Sequence, residues 1–252
     1  MRWVVIAAAV LLLSGCSAAI QPLPTEGKVD YQLGGASDPR DGVTVVARDR
    51  TEQPAPGVYS ICYVNGFQTQ PGDLGDWPDD LVLHVDGEPL IDPGWPDEAI
   101  LDTSTSASRE RIAQIVGGWI AACADDGFDA VEFDNLDTYS RSTGLLTEKD
   151  NLALATALVE RAHREGLAAG QKNSLELGTR GRDEAGFDFA VVEECHEFDE
   201  CAAFADIWGE QWLDVEYEAA DDLCDDPALP TLTVVRDRDL TPGGPTEDCS
   251  SL

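Results

Sequence analysis

Lysine is nearly absent from this chain: Lys28, Lys149 and Lys172 are all it has. Basic residues total 16 against 49 acidic ones, a net charge of -33. Binding a nucleic-acid backbone requires a basic face, so nucleic acid is not an expected partner. Histidine is scarce too, at three residues, and no Cys-x-x-Cys pair occurs. That argues against a zinc ribbon or a thioredoxin-type site. No Gly-x-Ser-x-Gly elbow supports serine hydrolase chemistry, and no glycine-rich phosphate loop follows a strand-like run. No apolar run reaches the roughly 20 residues that a membrane-spanning helix needs.

The longest apolar run, Trp3 to Leu13, follows a single Arg2 and ends in Leu13-Ser14-Gly15-Cys16. Residues 1–15 read as a lipoprotein signal peptide, with Cys16 the lipidated N-terminus after cleavage. Residues 16–28 carry Pro22, Pro24 and Gly27 and read as a flexible tether. One domain is expected over 29–252. The expected location is the extracellular face of the cell membrane, with membrane contact through the lipid only. Apart from Cys16, six cysteines remain: Cys62, Cys123, Cys195, Cys201, Cys224 and Cys249. An even number in an exported protein points to three disulfides. Cys195–Cys201 as a local staple, Cys62–Cys123 and Cys224–Cys249 are the favoured pairs among the 15 that parity allows.

Eight strand-like runs recur: Val29–Leu33, Val43–Ala47, Val58–Val64, Asp129–Asp134, Leu167–Lys172, Phe187–Val192, Trp212–Tyr217 and Thr231–Arg236. Several are apolar on both faces, as buried parallel strands are. Helical spacing separates some of them. Ile112, Ile115, Val116, Trp119, Ile120 and Cys123 recur every three or four residues. Thr147 and Asp150 form a capping box that opens a second helix, and Gly166 closes it. The fold class is α/β, a single (β/α)8 TIM-type barrel with disulfides. The stretch Pro71–Pro96 is a long loop with a weak strand at Leu81–Val85, and loops of that length are often functional.

Barrel enzymes keep reactive side chains at the C-terminal ends of their strands. Here those ends bring acids, amides and a lysine to one rim. Glu132 and Asp134 alternate with apolar neighbours, so both point into the barrel mouth. Asp134 and Glu193, from different strands, are the candidate catalytic pair. Glycoside hydrolysis needs such a pair: one carboxyl protonates the leaving oxygen, the other attacks the anomeric carbon or activates water. Tyr63, Glu132, Asn135, Asp137, Lys172, Asn173 and Glu216 are candidate substrate contacts. Tyr63, Phe67, Trp77, Trp95 and Tyr139 are candidate platforms for sugar rings. For Lys172, a substrate contact or an ion pair with a neighbouring carboxylate is favoured over a Schiff base. Glu193, Glu194, His196 and Glu197 lack a metal-binding helical spacing. No metal or cofactor is expected.

The ordered segments Ile61-Cys62-Tyr63, Gly127 through Asp137, Gly166 through Asn173, Phe187-Asp188-Phe189-Ala190, Glu193-Glu194-Cys195, Glu200-Cys201 and Val215-Glu216-Tyr217 resemble glycoside hydrolase family 114, the endo-α-1,4-polygalactosaminidase-like barrels. The stretch Tyr63–Pro71 resembles a secreted actinobacterial branch with a lipoprotein leader. The resemblance implies cleavage of α-1,4-linked, partly deacetylated galactosamine polymers. It implies Asp134 as nucleophile or base and Glu193 as acid. The chain departs from the family pattern at Phe133 (usually Pro), at Val192 and Glu194 (usually Asn and Gln) and at Ser174 (commonly Asp). The expected partner is thus a polysaccharide, a cationic galactosaminoglycan among the candidates, bound by a monomer. The alternative is a non-catalytic cell-surface barrel module that binds glycan. The acidity fits either a solvated surface or attraction of a cationic substrate.

Overall fold

A computed structural model of the chain describes residues 19–249. The expected signal peptide and the expected lipidation site Cys16 lie outside the described residues. Eight parallel strands follow one another around a barrel in sequence order. They are β1 (Lys28–Gln32), β2 (Val43–Asp49), β3 (Tyr59–Asn65), β4 (Ala130–Asp134), β5 (Ala168–Lys172), β6 (Phe189–Glu193), β7 (Trp212–Glu216) and β8 (Thr233–Arg236). These are the eight expected runs. Alternate residues fill the interior, with Tyr31, Ile61, Phe189, Val191, Leu213 and Val234 in one buried cluster. Their neighbours face the opposite way, where Val131, Phe133, Ala169 and Val192 pack under the helices.

The helical layer is uneven. Helices α1 (Ser106–Asp126), α2 (Thr138–Arg141), α3 (Glu148–Glu165) and α4 (Cys201–Trp208) cover part of the sheet. Thr105 caps α1, and the Thr147–Asp150 capping box and left-handed Gly166 bound α3 as their chemistry dictates. No helix separates β1 from β2 or β2 from β3. Outside these strands buried polar groups bond one another: Gln32 donates to Asp30 at 2.8 Å, and Arg48 Nε donates to Gln32 at 3.0 Å.

The barrel is nearly closed. No backbone ladder joins β1 to β8 among the described residues, because Thr246–Glu247 pairs antiparallel with Val235–Arg236 of β8 and occupies that edge. Arg236 spans the seam: its guanidinium bonds the Tyr31 carbonyl and the Asp30 carboxylate, the latter at 3.1 Å. The three favoured cysteine pairs are the three disulfides present, Cys62–Cys123, Cys195–Cys201 and Cys224–Cys249.

Two expectations change. The stretch expected as a tether is docked in part: Leu23 is buried at 2% exposure, and Tyr59 donates to the Gln21 carbonyl at 3.0 Å. An apolar Leu that joins the interior cluster gains by burial, which proline content does not reveal. The weak strand expected at Leu81–Val85 in the long loop is shorter, His84–Val85. The loop folds into two 3-10 turns, a hairpin of His84–Val85 with Glu88–Pro89, and isolated bridges such as Ile91 to Ala99.

Gly170 lies on the inward face of β5, and a Cβ there would sit 2.6 Å from the Phe189 ring. We expect Gly170→Ala to destabilise the fold by about 1–3 kcal/mol through overpacking. The check is urea unfolding followed by circular dichroism, with a lowered midpoint and an unchanged slope.

Candidate active site

The inward positions at the C-terminal ends of the strands converge. Tyr63 comes from β3, Asp134 from β4, Lys172 from β5 and Glu193 from β6, and Tyr217 follows β7. All five line one cleft of about 910 Å³, together with Asn135, Asp137 and Asn173. That volume is at the upper end for a small-ligand pocket.

Lys172 is the hub. Its side chain is 2% exposed, and its Nζ lies 3.8 Å from Asp134 Oδ2, 3.3 Å from Glu193 Oε2 and 3.4 Å from Glu132 Oε1. Two carboxylates, from the strands on either side of β5, are therefore held around one ammonium. Burial disfavours the Lys172 charge, but Asp134, Glu193 and Glu132 outweigh it and push its pKa well above the usual range. Nζ also donates to the Tyr31 hydroxyl at 3.1 Å and lies 5.4 Å from the centre of that ring. The ion pair is one of the two roles expected for Lys172.

Each carboxylate has its own tyrosine. Tyr63 donates to Asp134 Oδ2 at 2.7 Å, and the Asn135 amide donates to Oδ1 at 2.7 Å. Tyr217 donates to Glu193 Oε1, and Asn173 Nδ2 lies 3.4 Å from Oε2. Asn173 Oδ1 accepts the Glu193 backbone amide at 2.8 Å, which ties the ends of β5 and β6 together. Tyr31 donates to Glu132 at 2.6 Å, one layer below. Arg238 is bidentate to Glu194, at 2.6 and 3.2 Å, and its guanidinium lies 4.8 Å from the Tyr217 ring centre.

Two expected substrate contacts do not reach the cleft. Glu132 does point inward, but it is fully buried beneath Lys172, where it acts on the lysine instead. Burial, against the pull of Lys172 and Tyr31, raises its pKa to about 7. Glu216 lies on the face of β7 opposite Val215 and Tyr217. It is 2% exposed and accepts the His196 backbone amide at 2.8 Å. It shares that buried outer site with Asp214, and burial raises both acids. Of the candidate platforms, Phe67 and Trp77 are buried in the core, and Tyr139 donates to Glu176 at 2.6 Å away from the cleft. Tyr31, Tyr217, Arg238 and Glu98 were not expected in the site. Strand parity could have flagged Tyr217, which continues the inward series Leu213, Val215.

The model of glycoside-hydrolase family GH114 matches residues 13–251. The chain belongs to family GH114. It is therefore a glycosidase. No curated protein matches it in sequence. Among solved structures it is similar to Aspergillus fumigatus Ega3, solved in complex with galactosamine, with 22% identity and a TM-score of 0.73 over 94% of this chain and 100% of that one. It is also similar to the glycoside hydrolase domain of PelA from Pseudomonas aeruginosa. A variant of that domain is 15% identical with a TM-score of 0.59, covering 86% of this chain and 97% of that one.

Within GH114 the departures of this chain fall mostly outside the cleft. Phe133 is buried under the helices and packs on Phe187 with ring centres 6.4 Å apart. Val192 is buried in the same layer. Glu194, in contrast, lines the cleft and is the residue that holds Arg238.

Lys172→Met would remove the ammonium and leave the stem. In the folded wild type Glu132 keeps its proton to about pH 7, above its unfolded range, so its ionisation already costs stability as pH rises through that window. Without Lys172 the cost grows. We expect a loss of about 3–5 kcal/mol at pH 8, much of it recovered at pH 5, and no glycosidase activity at either. Denaturant unfolding at both pH values checks this; an equal deficit at both would remove Lys172 as the counter-charge.

Proposed function

We propose that this glycosidase cleaves α-1,4-linked galactosamine-containing polysaccharide, with Asp134 as nucleophile or base and Glu193 as acid. The observation that carries the reading is the pair of carboxylates, from the two strands that flank β5, meeting at Lys172 in the mouth of the barrel. Glu193 gives a proton to the glycosidic oxygen as its bond to the anomeric carbon breaks. Asp134 attacks that carbon, or takes a proton from the water that does. Asp134 accepts hydrogen bonds at both oxygens, from Tyr63 and Asn135, which fixes its plane. The substrate class rests on charge and likeness. Asp49, Asp92, Glu98, Asp137, Glu194 and Asp239 join the pair around the cleft. An anionic cleft in a chain of net charge -33 attracts a polycation. The similar Aspergillus fumigatus protein was solved with galactosamine.

The domain spanning residues 21–252 is incubated with galactosaminogalactan while new reducing ends are followed. We expect cleavage by wild type, lowered about 10²–10⁴-fold by Asp134→Asn and by Glu193→Gln with folding intact. Binding without cleavage by wild type would favour the non-catalytic module instead. Anomer analysis by nuclear magnetic resonance then separates retention from inversion.

We further propose that the chain is exported and lipid-anchored through Cys16, as in the secreted lipoprotein branch it resembles. The motif Leu13-Ser14-Gly15-Cys16 supports this. Cys16→Ala is expected to shift the protein from the detergent phase to the aqueous phase in cloud-point partitioning. An unchanged distribution would rule out the lipid.

A further inference from the structure

Among the described aromatics expected to meet sugar rings, Trp95 alone is both exposed, at 62%, and part of the cleft lining without being tied to the carboxylate pair. A large indole left in water forgoes substantial burial energy unless a partner covers it. The turn that carries it is not loose. The Asp92 side chain is 1% exposed and accepts hydrogen bonds from the Arg141 guanidinium, the Gln68 amide and, at 2.8 Å, the Gly94 backbone amide. The backbone closes on itself: Trp95 N–H donates to Asp92 at 3.2 Å, Glu98 to Trp95 at 3.0 Å and Asp92 to Glu98 at 2.9 Å. The indole is therefore presented by a clamped turn, a preorganised surface that loses little entropy on binding.

Glu98, on the same turn, also lines the cleft. Its Oε2 accepts from Asn65 Nδ2 at 2.9 Å, and Asn65 Oδ1 accepts from Asn135, the neighbour of Asp134. The turn is thus coupled by two hydrogen bonds to the end of β4. Burial, reinforced by the Asp134 and Asp92 charges, raises the Glu98 pKa to about 7, so an added positive charge at this carboxyl is favoured.

We propose that the turn 92–98 is a sugar subsite beside the cleavage pair, in which the Trp95 indole stacks on a hexosamine ring and the Glu98 carboxylate takes that ring's free ammonium. The inference rests on the polysaccharide reading above and adds a selectivity to it. The C–H face of a pyranose fits the indole face, which carries the negative end of the ring quadrupole. An N-acetylated ring would keep the stacking and lose the charge pairing. The subsite therefore discriminates for deacetylated sugar.

The test uses the soluble domain with galactosaminogalactan in its deacetylated form and after chemical N-acetylation. Trp95→Ala is expected to raise KM roughly tenfold on both polymers with kcat changed little, and Trp95→Phe to recover part of the loss. Glu98→Gln is expected to raise KM on the deacetylated polymer alone, so that the preference between the two collapses. An unchanged KM in Trp95→Ala, or an equal loss on both polymers in Glu98→Gln, overturns the subsite while wild-type cleavage keeps the glycosidase reading. Failure of wild type to cleave or bind either polymer overturns both.

Discussion

The site depends on one buried ammonium. Three carboxylates, Glu132, Asp134 and Glu193, reach the same few ångströms of a low-dielectric barrel interior, and each alone would repel the others. At an effective dielectric near 20 a pair of opposite charges 4 Å apart gains about 4 kcal/mol, which is comparable to the several kcal/mol each ion loses on leaving water. One contact would roughly balance that loss. Lys172 has more than one, Asp134 and Glu193 first and Glu132 as it ionises, which is why the amine stays charged at full burial. In a chain with three lysines, one is spent at the geometric centre of the mouth. The tyrosines then set the finer geometry, one hydroxyl to each acid.

The chain leaves these strands in a common way. The residue after Asp134, Lys172 and Glu193 adopts a left-handed backbone, with φ of 65° at Asn135, 46° at Asn173 and 59° at Glu194. Such a kink costs a non-glycine residue of order 1 kcal/mol, less for asparagine. It bends the main chain directly after the functional side chain, and Asn135, Asn173 and Glu194 themselves line the cleft. The asparagines also bond within the site, Asn135 to Asp134 and Asn173 to Glu193. Beyond Glu194 the Cys195–Cys201 disulfide pins the loop that carries the kink.

Much of this was legible in the sequence. The strands stood out because buried parallel strands are apolar on both faces. Helices α1 and α3 showed their spacing, and α3 its caps. Cysteine parity led to the disulfides. Period-two alternation correctly turned Glu132 and Asp134 to one side. Alternation, however, cannot report depth: Glu132 and Asp134 share a face, yet one is fully buried and the other lines the cleft. Nor did it place Glu216, which lies out of phase with Val215 and Tyr217. Glu98 and Trp95 carried no periodic signal, since their turn is held by Asp92, Arg141 and Gln68 from distant segments. Tyr31 and Tyr217 looked like ordinary strand aromatics, because nothing local announces the carboxylate each one meets.

The seam at Arg236 bears on how such a barrel assembles. Every parallel ladder joins strands that are consecutive in the barrel, so the sheet can grow by adding neighbours to an open, curling ribbon. The one step that joins the two ends spans 206 residues, and side-chain bonds from Arg236 to Asp30 and the Tyr31 carbonyl make it instead of a ladder. Loop-closure entropy rises only slowly with length and is incurred once. Contacts this distant are the slow ones in folding. Deferring them to cationic side chains at the seam, Arg236 together with Lys28 and Arg40 on Asp248, lets the ribbon form first and close last.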